Sequence, residues 1–311
     1  MALFHLHGEI IKRSKGKSAV QKAAYISRAL LINENSGKRY DYRKKGGLLN
    51  EKIFIGKNPP QWLKELSQDP QALWSTVERT EKRKDAQLAR HIVVALPHEL
   101  TQRQRESLVK DYVDENFVKK GMVVHACFHA PSHPDGDTRN FHVHFLITMR
   151  EIRPDGFGKK VREWNNRKIY NEWRMQWAQH VNLYLERYGH KDRVDHRSYK
   201  DQGIERDPTF HLGPTVTSLE RKNIKTRLGD KRRKILKNNK EREYWSKRQA
   251  EHRRKMALEN IKRDIRYQRD INDKDLRYLT PDDRNLIKTR GIDTLLHQFQ
   301  KTRQRSLGRA R

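Results

Sequence analysis

Along residues 3–11 apolar and polar side chains alternate with a period of two, the signature of a half-buried β-strand. Ser18 followed by Gln21 has capping-box spacing and predicts a helix running to about residue 31. Residues 33–42 are polar and turn-like, and the apolar spacing over 59–81 predicts one helix anchored by Trp62 and Trp74. A short apolar run at 91–96, stopped by Pro97, reads as a strand. Thr101 and Gln104 repeat the capping-box spacing and open a helix to about residue 118. Two further apolar runs, 122–129 and 141–147, read as strands joined by the single loop 131–140, so they can pair antiparallel. Residues 164–188 have the spacing of a long amphipathic helix. Helices fall between the other strands, which points to an α+β domain: a mostly antiparallel sheet with helices packed against it.

Beyond residue 219 the pattern changes. Ile235, Leu236, Trp245, Met256, Leu258 and Ile261 stand isolated among Lys, Arg, Glu and Gln, which predicts a solvated helical arm rather than a second packed core. The boundary is expected near 213–220, giving a domain over 1–215 and a basic, largely helical extension over 216–311.

Charge sharpens this division. The 311-residue chain has 69 Lys and Arg against 39 Asp and Glu, a net charge of +30. A surplus this large implies a polyanionic partner, with nucleic acid the default and an anionic membrane surface the alternative. No apolar stretch approaches the roughly 20 residues that span a bilayer, and the first residues lack the basic-then-apolar layout of a signal peptide. The single cysteine, Cys127, excludes an internal disulfide framework and fits a reducing compartment; a cytoplasmic protein is expected. Inside an apolar strand, Cys127 is expected to pack inertly.

Candidate chemistry centres on His142 and His144. In a strand, residues i and i+2 share a face, so both imidazoles point one way while Val143 and Phe145 point the other. Two imidazoles on one rigid strand are two legs of a metal site. His129, at the end of the preceding apolar run, supplies a third if the two strands pair antiparallel. His125 shares the face of His129 and is its leading competitor; His133 in the loop is the next. Cys127 lies on that face too, and a thiolate ligand would favour a closed zinc site. His5 and His7 form another pair on one face of the first strand, with no third histidine nearby in sequence. Three histidines with open positions make a catalytic centre, and in a basic protein the natural incoming ligand is a phosphate.

Such a centre needs a nucleophile: metal-bound water, or a side-chain hydroxyl that forms a covalent intermediate. Tyr25 is the candidate hydroxyl, on the first helix with Gln21 and Arg28 on neighbouring positions of one face. Ala23 and Ala24 let that helix approach the sheet closely. A packing role for Tyr25 is the plain alternative.

Several stretches taken together resemble the MobA/MobL relaxases, plasmid-mobilisation transesterases with a His-hydrophobic-His motif. The segment from Ile10 through Ser18 to Tyr25 looks like the family's nucleophile motif. Residues 95–100 look like a strand exit, and 121–129 followed by 136–144 resemble the metal motif. Residues 162–165, and 195–199 with Gln202 and Gly203, resemble downstream signatures, and His211, Leu212 and Gly213 fall where the family domain usually ends. The resemblance covers roughly residues 1–215. There are departures: the family pattern has Glu where this chain has His91, so an acidic contact there is missing or replaced. It also has Pro where this chain has Phe141, and His133 is extra.

The resemblance implies a five-stranded antiparallel sheet flanked by helices, Tyr25 as nucleophile, and His129, His142 and His144 as ligands for Mn²⁺ or Mg²⁺, with Zn²⁺ also compatible. It implies site- and strand-specific nicking of single-stranded DNA at an origin of transfer through a 5′-phosphotyrosine adduct, followed by rejoining. Single-stranded and duplex DNA, relaxosome accessory proteins and the transfer coupling machinery are the expected partners. Arg13, Lys15, Lys17, Arg28 and Arg139 are expected to contact DNA, and Asp135 and Asp137 are conceivable bases. A rolling-circle replication initiator is the rival within the same chemistry; a hydrolytic nuclease and a non-enzymatic basic DNA-binding protein are the rivals outside it.

Overall fold

The computed structural model describes residues 4–131, 139–210, 212–266, 273–292 and 294–295, in two compact units, Met1–His196 and Arg197–Arg311. The first unit opens with β1 (Leu6–Lys12), α1 (Ala19–Ser27), the hairpin β2 (Leu30–Asn33) and β3 (Lys38–Asp41), and β4 (Leu48–Phe54). There follow α2 (Gln61–Leu66), α3 (Pro70–Thr80), β5 (Gln87–Ala95), α4 (Gln102–Asn116), β6 (Val124–His129) and β7 (His142–Ile147). The hairpin β8 (Arg150–Arg153) and β9 (Gly156–Lys160) and the long α5 (Arg167–Arg187) complete it. Five strands form one sheet in the order β1-β5-β7-β6-β4, every neighbouring pair antiparallel.

Both sheet faces are covered. Leu108, Tyr112, Val113, Trp173, Trp177 and Leu185 of α4 and α5 pack on Ile92, Val94, Phe128, Val143 and Phe145. On the opposite face Val20, Ala23, Ala24, Leu73 and Trp74 of α1 and α3 pack on Ile11, Ala89, Cys127 and Leu146. Burial on two faces explains why the central strands read as apolar runs rather than as clean alternation. Ala23 and Ala24 are fully buried, so α1 lies directly on the sheet.

Four local expectations are corrected. The first helix ends at Ser27 rather than near residue 31, because Arg28 adopts a left-handed conformation (φ 55°) and Leu30–Asn33 pairs with Lys38–Asp41. The turn-like stretch 33–42 thus holds a strand. The segment 59–81 is two helices, broken where Asp69 precedes Pro70: the proline holds Asp69 extended, and the Asp69 side chain caps the new helix at Gln71 N. Finally, the basic extension contains a small apolar cluster of its own. Its helices are α6 (Gly213–Arg221), α7 (Arg227–Arg266), α8 (Asp273–Leu276) and α9 (Pro281–Arg290), and Leu258 and Ile261 of α7 are buried with Leu279, Ile292 and Leu295. Among the described residues no helix is long and apolar enough to cross a membrane.

The N-terminus of α1 is held by a buried carboxylate. Glu78 of α3 accepts from the Ser18 hydroxyl, from Val20 N (3.1 Å) and from Asn33 Nδ2 (2.9 Å), while Ser18 Oγ accepts from Gln21 N. A negative charge at this helix end also opposes the positive pole of the helix dipole. Glu78→Ala strands three buried donors and is expected to cost about 2–3 kcal/mol, read as a lower urea midpoint with an unchanged slope.

Candidate functional site

The β6–β7 register sets His129 directly opposite His142 and Cys127 opposite His144. Residues opposite one another in an antiparallel pair share a face, so His129, His142 and His144 converge on the side covered by α1. Their ring centroids lie 5.4 Å (His129–His142), 4.9 Å (His129–His144) and 5.1 Å (His142–His144) apart. One nitrogen from each falls within 4.8 Å of the others, a group that could hold one metal ion.

The chemistry of these rings fits a ligand set. Burial, reinforced by Arg28 and His142, lowers the pKa of His129 to about 4. Burial likewise pushes His142 down, and His144 too, where His91, His142 and His129 add to the effect. All three are therefore neutral at physiological pH, each with one N–H and one lone pair. His129 Nε2 donates to the Ile26 carbonyl at 2.7 Å, which leaves Nδ1 free. His142 Nδ1 donates to the Asn140 carbonyl at 3.0 Å, which leaves Nε2 free. His144 Nδ1 lies 2.9 Å from His91 Nε2. Anchoring one ring nitrogen while the other is left to bind is how proteins orient histidine ligands.

Tyr25 stands beside this group. Its ring meets His144 edge-on with centroids 6.2 Å apart, and Tyr42 at 5.4 Å. Three cations surround it: the Arg28 guanidinium 4.7 Å from the ring centroid, Lys45 Nζ at 5.0 Å and Lys22 Nζ at 5.6 Å. Arg28 is fixed by its bonds to the Tyr25 carbonyl (2.7 Å) and the Gly46 carbonyl (3.2 Å). An open cleft of about 210 Å³, lined by Lys17, Ser18, Gln21, Lys22, Tyr25 and Tyr42, leads to the ring. Lys22, Lys45 and Tyr42 carry no motif signal; only the hairpin fold of 30–41 brings the last two to Tyr25.

The competing ligands are placed elsewhere. His125 is fully buried, and its Nδ1 accepts from Trp74 Nε1 at 3.1 Å. An indole N–H only donates, so the His125 proton sits on Nε2 and goes to Glu51 Oε1 at 2.6 Å. His125 therefore has no lone pair left for a metal, although Glu51, His125 and Cys127 lie close together. Burial raises the Cys127 thiol well above its usual range, which keeps it protonated and inert. His7 is exposed on β1 and His5 is exposed just before it. His133, Asp135 and Asp137 lie outside the described residues.

The basic candidates divide. Arg13 spends its guanidinium on the carbonyls of Glu81, Arg83 and Glu78 at 2.8–3.0 Å, tying β1 to the end of α3. Lys17 pairs with Glu9. Lys15 and Arg139 are exposed. At position 91 the imidazole Nδ1 lies 3.3 Å from Glu9 Oε1, so a carboxylate from the neighbouring strand reaches the site through His91.

The model of the MobA/MobL family matches residues 17–222. Conjugal transfer protein TraA of Agrobacterium fabrum is 34% identical over 250 residues, covering 71% of this chain and 22% of that protein. Mobilization protein MobL of Acidithiobacillus ferridurans is 34% identical over 251 residues, covering 71% of this chain and 65% of that protein. A solved structure described as "Molecular Basis of Vancomycin Resistance Transfer in Staphylococcus aureus" aligns with a TM-score of 0.55 at 29% identity, covering 64% of this chain and 100% of that one. The chain thus spans about a fifth of the length of its TraA relatives.

The buried neutral imidazoles make stability depend on pH. Between about pH 4, where His129 titrates in the folded protein, and 6.5, its ordinary value, the unfolded chain binds the extra proton. Stability therefore rises with pH across this window and is lost as pH falls below 6.5, by about 1.4 kcal/mol per pH unit for this group. The urea midpoint of the metal-free protein is expected to drop from pH 7 to pH 4.5, and to drop less for His129→Gln.

Proposed function

The chain belongs to the MobA/MobL family, and we propose that it is a DNA relaxase that nicks one strand at an origin of transfer and later rejoins it. The observation that carries this reading is the meeting of a tyrosine, three neutral and individually anchored imidazoles and a ring of cations at one place. The names of the relatives, conjugal transfer and mobilization proteins, agree with it.

In this reading His129, His142 and His144 hold a divalent cation, Mn²⁺ or Mg²⁺, with Zn²⁺ also suited to three imidazoles. The ion supplies positive charge against the scissile phosphate when bound. Arg28, Lys22 and Lys45 draw the DNA backbone to the cleft and stabilise the added negative charge of the transition state. Lys15, Lys17 and Arg139 extend this basic surface; Arg13 acts from behind it as a brace. Tyr25 Oη attacks phosphorus in line. The new Oη–P bond forms as the P–O3′ bond breaks; the phenol gives up its proton and the leaving 3′ oxygen gains one. The product is a 5′-phosphotyrosine and a free 3′ hydroxyl. Attack by a 3′ hydroxyl on that linkage reverses the step, so rejoining needs no external energy source. A hydrolytic nuclease would leave no such adduct.

The domain over 1–215 carries this chemistry, and the extension over 216–311 supplies affinity. Residues 221–311 hold 30 Lys and Arg against 12 Asp and Glu, and most of α7 is exposed. Accessory proteins of the relaxosome and the coupling machinery are further proposed partners, and the cytoplasm of a bacterial host is the proposed location.

Tyr25→Phe removes the attacking oxygen but keeps the ring. It is expected to abolish the covalent adduct with single-stranded origin DNA and Mn²⁺, seen on denaturing gels, with DNA affinity within about twofold of wild type. An adduct at wild-type levels would move the nucleophile to Tyr40 or Tyr42.

Truncation after Ser218 should preserve cleavage of short single strands at low salt. It should weaken binding to duplex DNA and flatten the slope of log affinity against log salt, since each neutralised phosphate contributes about 0.9 to that slope. An unchanged slope would assign the extension to a protein partner.

A further inference from the structure

The third histidine differs from the other two in what holds it. His129 and His142 donate to backbone carbonyls, which can only accept. His144 faces another imidazole, His91, whose Nε2 lies 2.9 Å from His144 Nδ1 with the rings nearly parallel, 12° apart. Two imidazoles facing each other through nitrogen leave the proton's place undecided. If His91 donated, His144 Nδ1 would spend its lone pair on that bond and carry its own proton on Nε2, the nitrogen needed for a ligand.

Glu9 decides it. Its Oε1 lies 3.3 Å from His91 Nδ1, and Lys17 and Lys22 flank the same carboxylate, Lys22 at 2.9 Å. A carboxylate held ionised by two lysines only accepts, so the single proton of neutral His91 sits on Nδ1. His91 Nε2 must then accept, His144 Nδ1 must donate, and His144 Nε2 is left with its lone pair. The register supports the chain of contacts: Glu9 is opposite His91 across β1 and β5, and His144 is diagonal to His91 across β5 and β7.

We propose that Glu9 and His91 form a two-residue positioning relay that fixes the ligating tautomer of His144. The relay rests on the ligand assignment made above. It also bears on the nucleophile, because Lys22, which closes the carboxylate end, sits on α1 three residues before Tyr25 and above its ring. A partner outside the first ring of ligands that orients one of them typically contributes 10–100-fold in metal affinity.

The test is calorimetric titration of MnCl₂ into the full-length chain, with thermal melts of the metal-free variants alongside. His91→Leu, which leaves the His144 proton without an acceptor, is expected to weaken Mn²⁺ about 10–100-fold. Glu9→Gln, a partly exposed position that keeps the shape but can donate as well as accept, is expected to weaken it about tenfold with little change in melting temperature. His91→Glu places an acceptor directly against His144 Nδ1. It should restore near wild-type affinity, and adding Glu9→Gln to it should then have no effect. Wild-type affinity in both His91→Leu and Glu9→Gln, with binding still abolished by His142→Ala, overturns the relay. Failure of His91→Glu to restore binding overturns it too, because His91 would then act by packing alone. Equal Mn²⁺ binding by wild type and His142→Ala, or none by wild type, instead overturns the ligand assignment on which the relay rests.

Discussion

Everything at this site follows from burying imidazoles uncharged. Three rings brought together under a helix cannot all be protonated, and burial in a cationic neighbourhood pushes each of them toward the neutral form. A neutral imidazole still has one N–H that must find an acceptor or cost free energy. The fold supplies acceptors from three different elements: the last turn of α1 through Ile26, the entry to β7 through Asn140, and β5 through His91. Helix, loop and sheet are thus joined at the cluster by obligatory hydrogen bonds, and the lone pairs converge because the protons diverge.

The surrounding charges are sorted by depth. Beside Tyr25, Lys45 is exposed to solvent, while Lys22 and Arg28 are half-buried and held by Glu9 and by backbone carbonyls. Cations that stabilise the fold are turned inward onto carbonyls and carboxylates, as Arg13 is at the end of α3 and Arg150 and Lys160 are at buried Glu81. A net charge of +30 therefore overstates the field available to an outside polyanion, and composition alone could not separate the two populations.

The sheet's two central histidine strands, their antiparallel pairing, the helix N-caps at Ser18 and Thr101 and the long helix after Trp164 were all legible, because each rests on local periodicity or on a short loop. So was the grouping of His129, His142 and His144, since it required only one hairpin register. What escaped depends on distant pairing. Strand β4 carries Glu51 and Lys52 in its middle, and nothing local marks it as the fifth member of the sheet. Its Glu51 and the Trp74 indole together remove His125 as a ligand, a result that parity along β6 could not give. Position 91 looked like a missing carboxylate, whereas the carboxylate arrives from β1, 82 residues away in sequence. The end of α1 was overestimated because Leu30, Leu31 and Ile32 continue an apolar run that a hairpin, not a helix, absorbs.

The bond from His129 to the Ile26 carbonyl has a dynamic consequence. Carbonyls in the final turn of a helix ordinarily rely on water or a cap, and helix ends fray at little cost in free energy. Here the closing contact is made by a ring that, in the proposed function, also serves as a metal ligand. Fraying of α1 would release that ring, and restraining the ring would suppress fraying, by the reciprocity that governs any two linked equilibria. The amide protons around Ile26 should therefore exchange with solvent at a rate that reports occupancy of the centre. Tyr25, one residue earlier, would be held still in the same state in which the proposed reaction requires it.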